Sequence, residues 1–159
     1  MKKPLITTLF ALTLVLAAGA QRRTEVFTFP SKILGTEKSC TAYLPDGYDR
    51  SQESYPVLYL LHGAGGCHKD WTEKGYMRRS TDEAIAAGMA RPMIVVMPDA
   101  SGEGENYAGL HMGYFDVPGW NYEQFFFQEF LPSVEAKYRI TADKQHRAIS
   151  GLSMGGGGS

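Results

Sequence analysis

The chain has 159 residues, 43% of them hydrophobic and 21% charged, and a formal net charge of -1. That length and balance leave room for one globular domain and exclude the fibrous and intrinsically disordered classes. With 16 basic against 17 acidic side chains and no basic patch interleaved with aromatics, nucleic acid is not an expected partner.

Residues 1–20 read as a secretory signal: Lys2 and Lys3 start it, Leu5 to Ala17 form its apolar core, and Ala18-Gly19-Ala20 is an A-x-A cleavage site. The core is shorter than the roughly 20 residues a membrane span needs and carries three threonines. A secreted or periplasmic protein with no membrane partner is expected, and its mature chain has 14 basic and 17 acidic residues.

Glu25 to Phe29 alternates polar and apolar like a half-exposed strand, with Pro30 expected to end it. Ser39 to Leu44 reads as a second strand closed by the turn Pro45-Asp46-Gly47-Tyr48. Pro56 to Leu61 is apolar throughout, as a strand buried on both faces would be. It opens into His62-Gly63-Ala64-Gly65-Gly66. A helix is expected over Tyr76 to Ala87, capped by Gly88, and another buried strand over Met93 to Met97, ending at Pro98-Asp99.

The long segment from Ala100 to Trp120 has many glycines and aromatics and no clear period, which suits a functional or lid-like loop. Asn121 with Gln124 resembles a capping box. Phe126, Phe127, Phe130, Leu131, Val134 and Tyr138 then fall at helical spacing, with a bend expected near Gln128 because Pro132 removes a backbone bond. His146 to Ser150 is the last strand. Strands alternating with helices predict an α/β fold with a mostly parallel sheet.

Gly151-Leu152-Ser153-Met154-Gly155 follows that strand, and G-x-S-x-G at a strand-to-helix turn is the pattern of a nucleophile elbow. Ser153 is the candidate nucleophile. An oxyanion needs preorganised donors, and the candidates are the backbone N–H groups of Met154 and Ala64. Tyr107, Tyr114 and Trp120, with Phe115, are candidate aromatic walls for substrate, the alternative being satellite core beneath a long loop. Trp71 reads as core beside the glycine loop. Cys40 and Cys67 permit one pairing, and their placement in a strand and a distant loop predicts that they stay unpaired. No cysteine or histidine cluster has zinc-finger spacing, and His62 and His68 lack a third ligand, so no metal site is expected.

Tyr55 to Gly63, Asp70-Trp71, Pro98-Asp99, Glu129 to Glu135, and Arg147 to Gly156 together resemble the esterase D-like esterases. Within that group the chain is similar to carbohydrate esterase family 1, the feruloyl and acetylxylan esterases. The resemblance runs from about Glu25 to Gly157 and implies an α/β-hydrolase fold, of which residues 21–159 are the N-terminal portion. It also implies cofactor-free ester hydrolysis, with small-molecule esters or the acyl decorations of plant cell-wall polysaccharide as substrate.

In that fold the triad runs Ser, then Asp or Glu, then His. The six residues after Ser153 include neither, so acid and base are expected beyond residue 159 and the 159 residues alone are expected to be nearly inactive. His146 precedes Ser153 by seven positions, about 23 Å along an extended strand. His62 is expected to support the loop rather than shuttle protons, His68 and His111 to lie at the surface or cleft rim, and Asp99 to make a turn. Gly155 to Ser159 reads as natural sequence or as an added flexible linker. Other readings are an acyltransferase of the mycolyl-transfer type, a siderophore esterase, a formylglutathione thioester hydrolase, or a non-catalytic polysaccharide-binding module. The oligomeric state is not indicated.

Overall fold

The computed structural model describes residues 23–102 and 113–159. The chain begins with an antiparallel hairpin of β1 (Arg23–Ser31) and β2 (Thr36–Leu44), turned by Gly35 at φ 67°. Pro30 does not end β1 but sits inside it opposite Glu37. β1 lies at the edge of the sheet, where a strand can lack an N–H without breaking the ladder.

β3 (Val57–Leu61), α1 (Asp70–Glu73), α2 (Met77–Ala86) and β4 (Ile94–Pro98) follow. Next come a short hairpin of β5 (Asp116–Val117) and β6 (Trp120–Asn121), then α3 (Tyr122–Phe125) and α4 (Leu131–Lys137). β7 (Arg147–Gly151) and α5 (Met154–Gly157) complete the order. The main sheet runs β1-β2-β4-β3-β7. β3 is parallel to β4 and β7, whereas β2 meets β4 antiparallel. The sheet is therefore mixed, and no described strand pairs with the far edge of β7.

β4 is buried at every position, and its alternate residues feed two cores. Ile94 and Val96 join the larger cluster, with Val57, Tyr59 and the ring face of α3 and α4; Val95 and Met97 join Tyr43, Met77 and the half-buried Leu58, Leu60 and Trp71 on the other side. This two-residue alternation is what a central strand between two layers must show. β3 departs from the expected double burial, since Leu58 and Leu60 are only half covered. Lys38 is buried within this framework, its Nζ donating to Ser101 O at 2.7 Å and lying 5.3 Å from the Trp120 ring centroid.

The helical segment differs from a regular, self-capped α-helix in two ways, the first of them around Gln128, where the sequence predicts a bend. Between α3 and α4 the chain makes a π-helical turn over Phe126–Phe130. Pro132 has no N–H to give Gln128 O, and the widened turn absorbs that loss while Phe125, Phe126, Phe130 and Val134 all stay buried. Phe127, expected on the apolar face, is exposed. Glu129 reaches the first hairpin, accepting from Ser31 Oγ and from the N–H groups of Lys32 and Ile33 at 3.0 and 3.3 Å.

The second difference is the cap. Asn121 makes no side-chain cap bond. Asp116 of β5 supplies it instead, accepting from Gln124 N at 3.2 Å and Gln124 Nε2 at 2.8 Å. The Gln124 side-chain bond, with backbone donors behind it, holds the Asp116 carboxyl below its ordinary 3.8. A depressed carboxylate stabilises above its unfolded pKa, and the contribution fades as pH falls through the folded value. Asp116→Ala is therefore expected to lower the thermal midpoint at pH 7, with the gap to the unsubstituted protein closing below the carboxylate range in a calorimetric pH series.

Candidate active site

Neighbouring parallel strands deliver their carboxyl ends to the same side of a sheet, which is where open α/β sheets place ligands. β3 and β7 end level, with Leu61 opposite Gly151, and Leu152 N donates to Leu61 O at 3.3 Å. The loop after β3 and the turn after β7 are thus brought together. A Cβ on Gly63 would lie 3.8 Å from Ser153 Cβ and 3.5 Å from Leu152 O.

Ser153 has φ 53° and ψ -112°, one of two non-glycine residues with positive φ among those described. Such a conformation costs about 1–3 kcal/mol and persists only where the surroundings enforce it. The enforcement here is close backbone packing. A Cβ on Gly155 would lie 2.5 Å from Leu61 O and 2.7 Å from His62 O, and one on Gly151 would lie 2.8 Å from Gly155 Cα. Only glycine at both positions lets α5 start against the end of β3. Ser153 is left exposed, and Met154 is half-buried against the larger core. As the first residue of α5, Met154 has an N–H with no acceptor inside the helix.

The β3 loop is a tight turn in which Gly66 N donates to Gly63 O at 3.1 Å. Gly65 takes φ 72° at the third position, as a type II turn requires. The central amides, including that of Ala64, are not used by this turn. His62 braces the loop. Its Nε2 accepts from Ala100 N at 2.9 Å, so the ring proton is on Nδ1, which donates to Gly63 O at 2.8 Å. Both ring nitrogens are committed, which matches a supporting rather than a proton-shuttling role.

Two buried tyrosines hold the same region. Tyr114 Oη donates to His62 O and Tyr122 Oη to Asp99 O, each at 3.1 Å. Burial pushes the Tyr114 and Tyr122 hydroxyls up, keeping both as donors. Of the two readings open for Tyr114 and Trp120, substrate wall or core, the structure favours core, at 5% and 2% exposed, with Trp120 Nε1 donating to Gly113 O at 3.0 Å, while Tyr114 also lines a pocket with Phe115. Tyr107 and His111 lie outside the described residues. Phe115 is exposed. Trp71, expected as core, packs on the smaller cluster but also lines a cleft beside the loop. The bracing by Tyr122 gave no sequence signal, because nothing in a helix start tells which hydroxyl reaches a loop carbonyl.

The other histidines are set apart. His146 precedes β7 at the strand's opposite end and pairs with Asp143 at 2.8 Å. His68 is buried rather than at the rim, its Nδ1 2.7 Å from Thr41 Oγ1. Asp99 makes a turn as expected, with Oδ1 accepting from Ser101 N at 2.8 Å. Cys40 and Cys67 are free thiols. None of the described histidines is placed to take a proton from Ser153.

Burial pushes His68 below its ordinary 6.5, while Asp99 pulls the other way. A depressed histidine stabilises above its unfolded pKa and loses that contribution as pH falls through the folded one. Lowering pH from 7 to 5 is expected to reduce the urea midpoint, and His68→Gln to flatten that dependence.

Three comparisons bear on this geometry. A family model described as "Putative esterase" matches residues 31–159. An endo-1,4-beta-xylanase/feruloyl esterase of Xylanibacter ruminicola is 37% identical over 133 residues, covering 81% of this chain and 18% of that protein. A solved ferulic acid esterase superposes with TM-score 0.80 at 46% identity, over 87% of this chain and 53% of that one. The ferulic acid esterase of Anaeromyces mucronatus solved with ferulic acid gives TM-score 0.71 at 28% identity, over 84% and 50%. The chain spans about half the length of these solved esterases, and the fold is that of the α/β-hydrolases. Because one family model takes in both the brace after β3 and the strained turn at Ser153, the chain belongs to that esterase family.

Proposed function

We propose that the protein is a serine carboxylic-ester hydrolase of the carbohydrate esterase family 1 type, acting on feruloyl or acetyl groups of plant cell-wall polysaccharide. The observation that carries the reading is Ser153 held at positive φ beside the Gly63 loop. In the mechanism, Ser153 Oγ attacks the ester carbonyl, and the N–H groups of Met154 and Ala64 face the oxyanion. The alcohol leaves with a proton, and water then hydrolyses the acyl-serine. In the triad order of this fold the acid and the base come after the serine along the chain. The relatives' names support the substrate class, and residues 1–20 support export.

The experiment is release of ferulate from methyl ferulate and of acetate from acetylated xylan by the full-length gene product. Turnover of either ester that disappears with Ser153→Ala supports the reading. Turnover of neither, by a protein shown to be folded, removes it.

A further inference from the structure

A cleft of about 270 Å³ lies between the β3 loop and α1, bordered by Gly63, Ala64 and Leu152 on one side and by Asp70, Trp71 and Lys74 on the other. Leu152 adjoins Ser153 in the chain, and a Cβ on Gly63 would lie 3.8 Å from Ser153 Cβ, so two of the lining residues flank the candidate nucleophile. Its Trp71 wall is fixed: Nε1 donates to Leu61 O at 3.1 Å, tying the indole to the strand that carries the loop. Gly75 lets the link between α1 and α2 lie close on the ring, since a Cβ there would stand 2.7 Å from Trp71 Cε3. At the rim Lys74 Nζ lies 3.0 Å from Asp70 Oδ1, with the Lys74 side chain 72% exposed.

We propose that this cleft binds the sugar on the alcohol side of the scissile ester, a role that rests on the ester-hydrolase reading above. A pyranose or furanose ring has C–H faces that lie on an aromatic wall and hydroxyls that bond a carboxylate and an ammonium at once. An apolar acyl ring would strip water from Asp70 and Lys74 without returning hydrogen bonds, a net cost. The open rim at Lys74 also lets a polymer continue outward, whereas an acyl group ends at its own ring.

The test is steady-state kinetics of the full-length gene product on methyl ferulate and on a feruloylated xylo-oligosaccharide. Lys74→Ala is expected to raise KM for the oligosaccharide about threefold with kcat and KM for methyl ferulate within about twofold, and Trp71→Ala to raise KM for the oligosaccharide about tenfold more than it raises KM for methyl ferulate. Because the Lys74 side chain is exposed, its variant decides the matter where Trp71→Ala weakens both substrates through the fold. No selective loss on the oligosaccharide by Lys74→Ala overturns the sugar site and leaves the hydrolase reading standing. Failure of the unsubstituted protein to cleave either ester overturns both.

Discussion

Ser153→Ala is expected to lower kcat for ester hydrolysis by about four orders of magnitude or more in the full-length gene product. Fold and substrate KM should stay nearly unchanged. The hydroxyl is exposed and has no hydrogen-bond partner among the described residues, so its removal leaves no unpaired group behind. Ser153→Gly separates chemistry from backbone strain. Glycine occupies φ 53° without a Cβ clash, so this variant is expected to be equally inactive yet more stable by about 1 kcal/mol in urea unfolding. If Ser153→Gly is instead destabilised, the positive φ stores no strain. If Ser153→Ala retains activity, the nucleophile lies elsewhere.

Gly155→Ala should be among the most damaging single methyls in the region. Its Cβ would stand 2.5 Å from Leu61 O and 2.7 Å from both His62 O and Leu61 C, all of them backbone atoms of a paired strand and its brace. Neither side can yield by rotating a side chain, so α5 must move off β3. Overpacking of this kind costs about 3 kcal/mol, and moving α5 also carries the Met154 N–H away from the loop. Loss of both stability and kcat is expected, measured by urea unfolding and by methyl ferulate turnover. Gly157→Ala is the matched control, because a Cβ there meets nothing within 4 Å. Should both variants behave alike, helix propensity rather than contact with β3 governs this turn.

The strands and the elbow were legible because each rests on a local constraint. Continuous apolar runs mark β3 and β4, and the G-x-S-x-G spacing marks the elbow, although the contacts that Gly155 answers, Leu61 O and His62 O, lie on another strand. The antiparallel entry of β2 beside β4 was not legible, since register between distant strands leaves no mark on either one. The Asp116 cap was hidden in a hairpin too short to show a period. Tyr114 and Trp120 stay open between two readings for a related reason. Aromatics in a glycine-rich stretch read alike as ligand wall or core, and only the carbonyls their polar ends reach, His62 O and Gly113 O, separate the two. His68 likewise gave no sign that Thr41 would draw it inward.

The order of strands across the sheet has a consequence for how the chain comes off the ribosome. β1 and β2 can zip together as soon as they emerge, but the next strand to appear, β3, has no neighbour waiting for it. Its partner β4 arrives some thirty residues later and must slot between β2 and β3, and β7 joins the outside of β3 only at the end. During synthesis Val57 to Leu61 therefore remains an orphan apolar stretch, the kind nascent-chain chaperones hold. The same geometry means the turn at Ser153, seated on β3 and β7 together, is the last part of these residues to take shape.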